Sequence, residues 1–370
     1  MSECRFPILH SVANTNIVSE LNWTWPNRFR AELPLLASLY GRLHGIDGLY
    51  FFASSNPFWA RMLGKFSIAD PMIMGQFPAA ALIFRQGLLK EADIVQSIEL
   101  STTDMFGFRG AELLKPMSFD SLRFKDIESM LRGLAHTTAL STDPLLPLVG
   151  PVALNVVDDR PPSSAAHFAN LIDRQQHTVR SATGELLWNW GRGLVTLDAK
   201  AAQVAVGFLG HAERIELSEM AVQMACDVGA IALVSLDGKS IQTSARLLLQ
   251  VVTEATNTGW ATKGNGLKMI KTAGHSPIIV RSVRGLVQLK RPDANHLRVG
   301  ALDFDGRIRR LAKSGADHIS LQFRIHQRTV LATITPRAPV LFQLVPTSFA
   351  GDVVQRKDRS VTSTERTQVW

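Results

Sequence analysis

The sequence predicts an α/β segment followed by an all-β region folded as an antiparallel β-sandwich. Residues 16–91 alternate apolar strand-like runs with stretches of helical periodicity, which is the pattern of parallel β-α units. From His177 onward, short strand-like runs succeed one another with turn residues between them, as an antiparallel sandwich requires. Composition agrees with a folded chain that has a sizeable core: of 370 residues, 46% are hydrophobic and 19% charged.

The elements follow in order. Asn16–Leu21 suits a buried parallel strand, with a loop over Asn22–Asn27. Phe29, Leu33, Leu36, Tyr40 and Leu43 recur at steps of four and three and so share one helical face, which Gly45 ends. Gly48–Ala53 is nearly all apolar, the mark of a strand covered on both faces, and a longer connection spans Ser54–Ala69. Asp70-Pro71 then begins a second helix as N-cap and first helical residue, with Ile73, Phe77, Ala80, Phe84 and Leu88 as its stripe.

Residues 1–91 thus form one unit, and 92–165 a connecting region of mixed α/β character. In it Ala92–Leu100 reads as a strand, Ser121–Leu134 as a helix and Thr142–Pro162 as a proline-bearing connection. Residues 166–346 form the sandwich, and 347–370 a polar, flexible tail. The sandwich strands are expected at His177–Ser181, Glu185–Trp190, Leu194–Leu197, Arg214–Leu217, Ile231–Leu236, Ala245–Thr253, Ile278–Val283, His296–Leu302, His318–Ile325 and Val330–Thr335. Ala199–Leu209 reads as a short helix between them.

Several functional classes are disfavoured. No apolar run approaches the ~20 residues that cross a bilayer, so no membrane is expected as a partner. The first residues lack the basic, apolar and small-residue regions of a signal peptide, which reads as cytoplasmic for the sequence as written, or as exported if an upstream segment exists. Cys4 and Cys226 support neither a disulfide framework nor a zinc site, and the ten histidines show no paired spacing; no metal or cofactor is expected. The net charge is +8, and residues 281–330 hold eleven Lys or Arg against four Asp. Within that segment Ile319, Leu321, Phe323 and Ile325 alternate with polar residues, which predicts a solvated strand face and no nucleic-acid site. A polyanion site there is the weaker reading, and it would show steep salt dependence.

Chemistry concentrates in Val18–Glu32. Glu20 ends a buried parallel strand, and Trp23 and Trp25 occupy the loop that follows. A carboxylate so placed, beside aromatic surfaces, suits sugar chemistry: a retaining glycosidase uses a carboxylate nucleophile, a second carboxylic acid ~5–5.5 Å away, and flat rings for the sugar faces. The stretch VSELNWTWPNRFRAELPLLASLYGRLHGIDGLYFFA resembles the seventh-to-eighth strand segment of clan-A-type glycoside hydrolases, the group that includes β-galactosidase-like enzymes. Residues 183–210 and ATNTGW at 255–260 resemble the β-rich region that follows the barrel in some of them.

The resemblance implies a partial (β/α)8 barrel, its strands 7 and 8, ahead of the sandwich. It makes Glu20 the nucleophile, implies Asn22, Trp23, Trp25, Tyr50 and Trp59 as lining of a carbohydrate cleft, and puts the general acid on a fourth strand that this sequence does not contain. Glu32, Asp47 and Asp70 do not replace that acid, since they fall on a helix, at the opposite strand end and at a helix cap. Two β-α units cannot close a barrel, so association with a separate N-terminal barrel portion or with a second copy is expected. The alternative is a noncatalytic sandwich that binds carbohydrate or a partner and carries a vestigial barrel segment. Trp188 and Trp190 alternate along a strand and read as packing residues.

Overall fold

A computed structural model describes residues 9–10, 15–54, 60–107, 143, 145–158, 168–212, 214–264, 269–281, 283–291, 297–302, 308–312, 319–324 and 340–346. The fold is mixed and β-rich, with few helices and one large antiparallel sheet. Four layers stack in sequence: a parallel strand pair, a helical layer, the large sheet and a smaller sheet.

The parallel pair joins Ile17–Leu21 to Gly48–Phe51, and no third described strand extends it. Helix Leu33–Leu43 connects the two strands and is preceded by a 3-10 turn, Arg28–Glu32. The helix is buried on nearly every side because three layers meet there. Gly41 permits the closest approach: a Cβ at that position would lie 3.0 Å from Leu49 Cδ1 and 3.3 Å from Phe84 Cε2. Gly45, at φ 62°, takes the left-handed conformation just beyond the helix, as expected of a stop.

The single helix expected after Asp70 divides in two, Pro71–Met74 and Phe77–Gln86. Pro78 explains the break: it has no N–H to donate, and its ring would collide with the Met74 carbonyl in a continuous helix. Asp70 is the N-cap, accepting from the amides of Met72 at 2.9 Å and Ile73 at 3.1 Å.

The large sheet has ten strands, all antiparallel, in the order Ile308–Ala312, Leu297–Leu302, Val340–Pro346, Leu247–Thr253, Gly229–Ser235, Ala202–Gly207, Leu194–Asp198, Leu186–Asn189, Thr178–Arg180 and Ile172–Asp173. Both faces of its centre are covered. Val204, Val206, Ala230, Ala232, Val234 and Leu248 pack on Leu36, Leu39, Tyr40, Leu43, Ala80 and Ile83 of the helices. The intervening Ala205, Ile231, Leu233, Leu247, Leu249 and Val251 pack on the second sheet, against Met220, Val222, Met224, Val287 and Leu289. That sheet runs Ile215–Glu216, Met220–Met224, Arg284–Leu289, Ile319–Arg324.

Two-sided burial corrects one expectation. The run expected to be a short helix, Ala199–Leu209, holds the central strand Ala202–Gly207. Its alanines and valines are buried on both faces, so the alternation that would have marked a strand is missing. The connection Thr142–Pro162 is also more ordered than expected, with a helical turn at Leu146–Val149 and a strand at Val152–Val157. That strand is parallel to Gln96–Ser101 and to Leu9–His10. Its six residues lie clear of the prolines at 151 and 161, which bracket them. The helix expected at Ser121–Leu134, the strand expected at Val330–Thr335 and the polar tail lie outside the described residues, as do the side chains of Ile319–Arg324.

No helix among the described residues is long and apolar enough to cross a membrane.

Candidate functional site

The parallel pair presents two unlike faces. Leu21 and Phe51 turn toward Leu33, Ile68 and Ile73 under the helices. The other face is open, with Ile17 52% and Tyr50 59% exposed. The register explains what stands there: Val18 pairs with Leu49 and Leu21 with Phe51, so Ser19 and Glu20 together oppose the single residue Tyr50. This two-against-one bulge leaves Glu20 exposed at the strand end, with no hydrogen bond or ion pair to a described residue.

The loop after Glu20 is anchored tightly. Asn22 donates through Nδ2 to the carbonyls of Phe52 and, at 2.8 Å, Phe66. The Trp25 amide donates to Lys65 O at 3.1 Å, so the Lys65-Phe66 dipeptide holds both Asn22 and Trp25. Phe52 and Phe66, exposed at 41% and 45%, form an edge-on pair 5.6 Å apart, and Lys65 Nζ lies 4.8 Å from the Phe66 ring centre.

The residues singled out from the sequence therefore divide. Glu20 and Tyr50 share the open face. Asn22 is a fastener between the strand end and the following chain. Trp23 packs against the cores beneath the helices, and Trp25 against a cluster holding Ala31, Leu63, Met72, Val252 and Ile278. Trp59 lies outside the described residues. Trp188 and Trp190 pack as expected, Trp188 beside Tyr40 and Trp190 beside His177.

Sequence reasoning missed the junction that holds this region to the large sheet. Gln250, buried on the sheet's helical face, accepts from Ala79 N at 2.6 Å and donates to Gly75 O at 2.6 Å. Asn257, fully buried, accepts from Leu63 N at 2.7 Å and donates to Leu63 O at 3.1 Å and Ala273 O at 2.9 Å. Trp260 meets Trp25 edge to face, with ring centres 4.4 Å apart. At the rim, Arg28 binds Glu254 at 2.8 Å and Asp227 at 3.0 Å, and His211 reaches Asp227 at 3.3 Å. Burial works to lower the Arg28 guanidinium, but hydrogen bonds and charges from Glu254 and Asp227 outweigh it and hold the group above its ordinary value. The lone Gln250 within the apolar run Leu247–Val252 was the available signal for this junction, because a buried amide needs partners, whereas Asn257 sits among polar residues and gave none.

Carboxylates elsewhere in the region are already engaged. Asp47 accepts from Asn16 N at 2.8 Å at the opposite end of the strand pair from Glu20. Asp70 is fully buried with Arg30, 2.9 Å away; burial pushes the Asp70 carboxyl up, opposed by the Arg30 charge and the two helix amides. Glu32 is buried in the 3-10 turn. Cys226 is buried, which raises its thiol to about 11, so it is no thiolate nucleophile at neutral pH. Among the described residues no group of three His, Cys, Asp or Glu could hold a metal ion.

No family model, curated protein or solved structure matches this chain.

Proposed function

We propose that this chain is a glycoside hydrolase-related protein in which Glu20 is the inherited nucleophile of retaining hydrolysis of O-glycosidic bonds. The parallel strands Ile17–Leu21 and Gly48–Phe51 are the last two strands of a partial barrel, and the general acid belongs to a segment that completes the site. The observation that carries this reading is the bulge that leaves Glu20 exposed, and without a partner among the described residues, at the end of a parallel strand, opposite Tyr50. A nucleophile must be free to attack, whereas the nearby Asp47 accepts a backbone amide and Asp70 is buried in an ion pair.

The test removes the need for a general acid. A 2,4-dinitrophenyl 2-deoxy-2-fluoroglycoside releases dinitrophenolate without protonation. Attack by a Glu20 carboxylate oxygen forms the bond to the anomeric carbon as the bond to the leaving oxygen breaks, and the fluorine slows hydrolysis of the resulting ester. Gluco, galacto and manno reagents are incubated with the purified chain and with Glu20→Gln, followed by peptide mass mapping. The expected result is one fluoroglycosyl group on the Glu20 peptide and none in the variant. A folded chain that takes no label from any of the three would overturn the assignment.

One observation favours the noncatalytic alternative. Trp23 and Trp25 lend much of their surface to packing, as fits a vestigial barrel segment fastened to a binding sandwich. That reading predicts carbohydrate or partner binding with no covalent label.

A further inference from the structure

We propose that Trp260, carried by the β-rich region, joins Trp25 in an aromatic wall that holds a second pyranose ring of an oligosaccharide, beyond the ring attacked at Glu20. The inference rests on the carbohydrate reading of the Glu20 site and adds to it a residue from the β-rich region, just after strand Ala255–Thr258.

Four observations carry it. Trp260 and Trp25 are only half-buried although their ring centres lie 4.4 Å apart, so each ring is braced by the other and still reaches solvent. Neither indole N–H donates to a described residue, which leaves two hydrogen-bond donors beside an aromatic surface, the combination that grips a sugar by its apolar face and its hydroxyls. Trp260 is held stiffly: Gly259 takes φ 73°, the Trp260 amide donates to Asn257 O at 3.1 Å, and Asn257 itself is locked to Leu63 and Ala273. A rigid ring loses little freedom on binding. Finally, the pair is tied to the Glu20 strand end through Lys65-Phe66, which binds Trp25 on one side and Asn22 on the other. An indole needed only for packing would be expected to close against the core, as Tyr40 does at 1% exposure.

The probes are cellotetraose, β-1,4-galactotetraose, mannotetraose and xylotetraose, titrated calorimetrically into the full chain and into Trp260→Leu, which keeps apolar bulk but removes the ring. At least one tetraose is expected to bind, and Trp260→Leu to weaken it about ten-fold while the thermal midpoint stays near that of the parent. Equal affinity in a folded variant, or no binding of any tetraose to the parent, overturns the proposal. Should Trp260→Leu not fold, the parent chain labelled with 5-fluorotryptophan decides the matter. The Trp260 fluorine resonance, assigned with Trp260→Phe, shifts on adding the tetraose if the wall is real and stays fixed if it is not. Tetraose binding that depends on Trp260 without covalent labelling of Glu20 sinks the catalytic reading alone. Labelling of Glu20 with Trp260-independent binding sinks this inference alone.

Discussion

The large sheet and the parallel strand pair are both built from apolar strands, yet one is covered on both faces and the other on one. In Gly229–Ser235 every residue is buried, with even positions against the helices and odd positions against the second sheet. In Gly48–Phe51 no residue is fully buried: one face is half-buried under the helices while Tyr50 stands open. Apolar sequence therefore does not by itself report burial; the number of layers above and below a strand does. The sheet covered on both faces is where burial contributes most to stability.

The sharpest way to break this contrast is a truncation in the covered sheet. Leu233→Ala, between Gln203 and Leu249 in register, is expected to cost ~2–5 kcal/mol in urea unfolding, since tightly packed neighbours on both sides cannot collapse onto the void. A loss below ~1 kcal/mol would mean that the two sheets are loosely joined.

A smaller effect is expected at the turn joining Gly229–Ser235 to Leu247–Thr253. Modest burial would raise the Asp237 carboxyl, but hydroxyls of Ser244 and Ser235 and amides of Ala245 and Lys239 donate to it and hold it well below its ordinary range. A depressed folded-state value means that this stabilisation is complete above the unfolded value of ~3.9 and fades as pH falls below it. Asp237→Asn should therefore lower the melting temperature at pH 7, with the gap to the parent narrowing at pH 3. A gap independent of pH would remove the charge from the explanation.

The smallest effect belongs to the open face, where Tyr50→Ser should change unfolding free energy by no more than ~0.5 kcal/mol. A cost like that of Leu233→Ala would show that something covers Tyr50 in solution.

These contrasts explain what could be read from the sequence. Strands with turn residues at their ends, such as Leu186–Asn189, Leu194–Asp198 and Leu247–Thr253, were legible, as was the Asp70 cap, whose chemistry is local. Ala202–Gly207 was misread because burial on both faces erases period-two alternation, and Met220–Met224 was missed for the same reason, with four of its five positions buried. The parallel strand Val152–Val157 was hidden among prolines. At the site, Glu20 and the tryptophans stood out by residue type, but the sharing of Trp25 with Trp260 and the fastening by Gln250 and Asn257 depend on distant partners that periodicity cannot pair.

The position of Gln250 also bears on how such a molecule can be recombined. Its amide spans the seam where the helical layer meets the sheet, one end on Gly75 and the other on Ala79, so one side chain of the sheet is wired to the backbone of the helical layer at two points. A chimera cut near residue 91 would inherit one half of a shared interior and one end of that wiring. The natural unit of exchange is the helical layer together with the sheet face that was shaped to it.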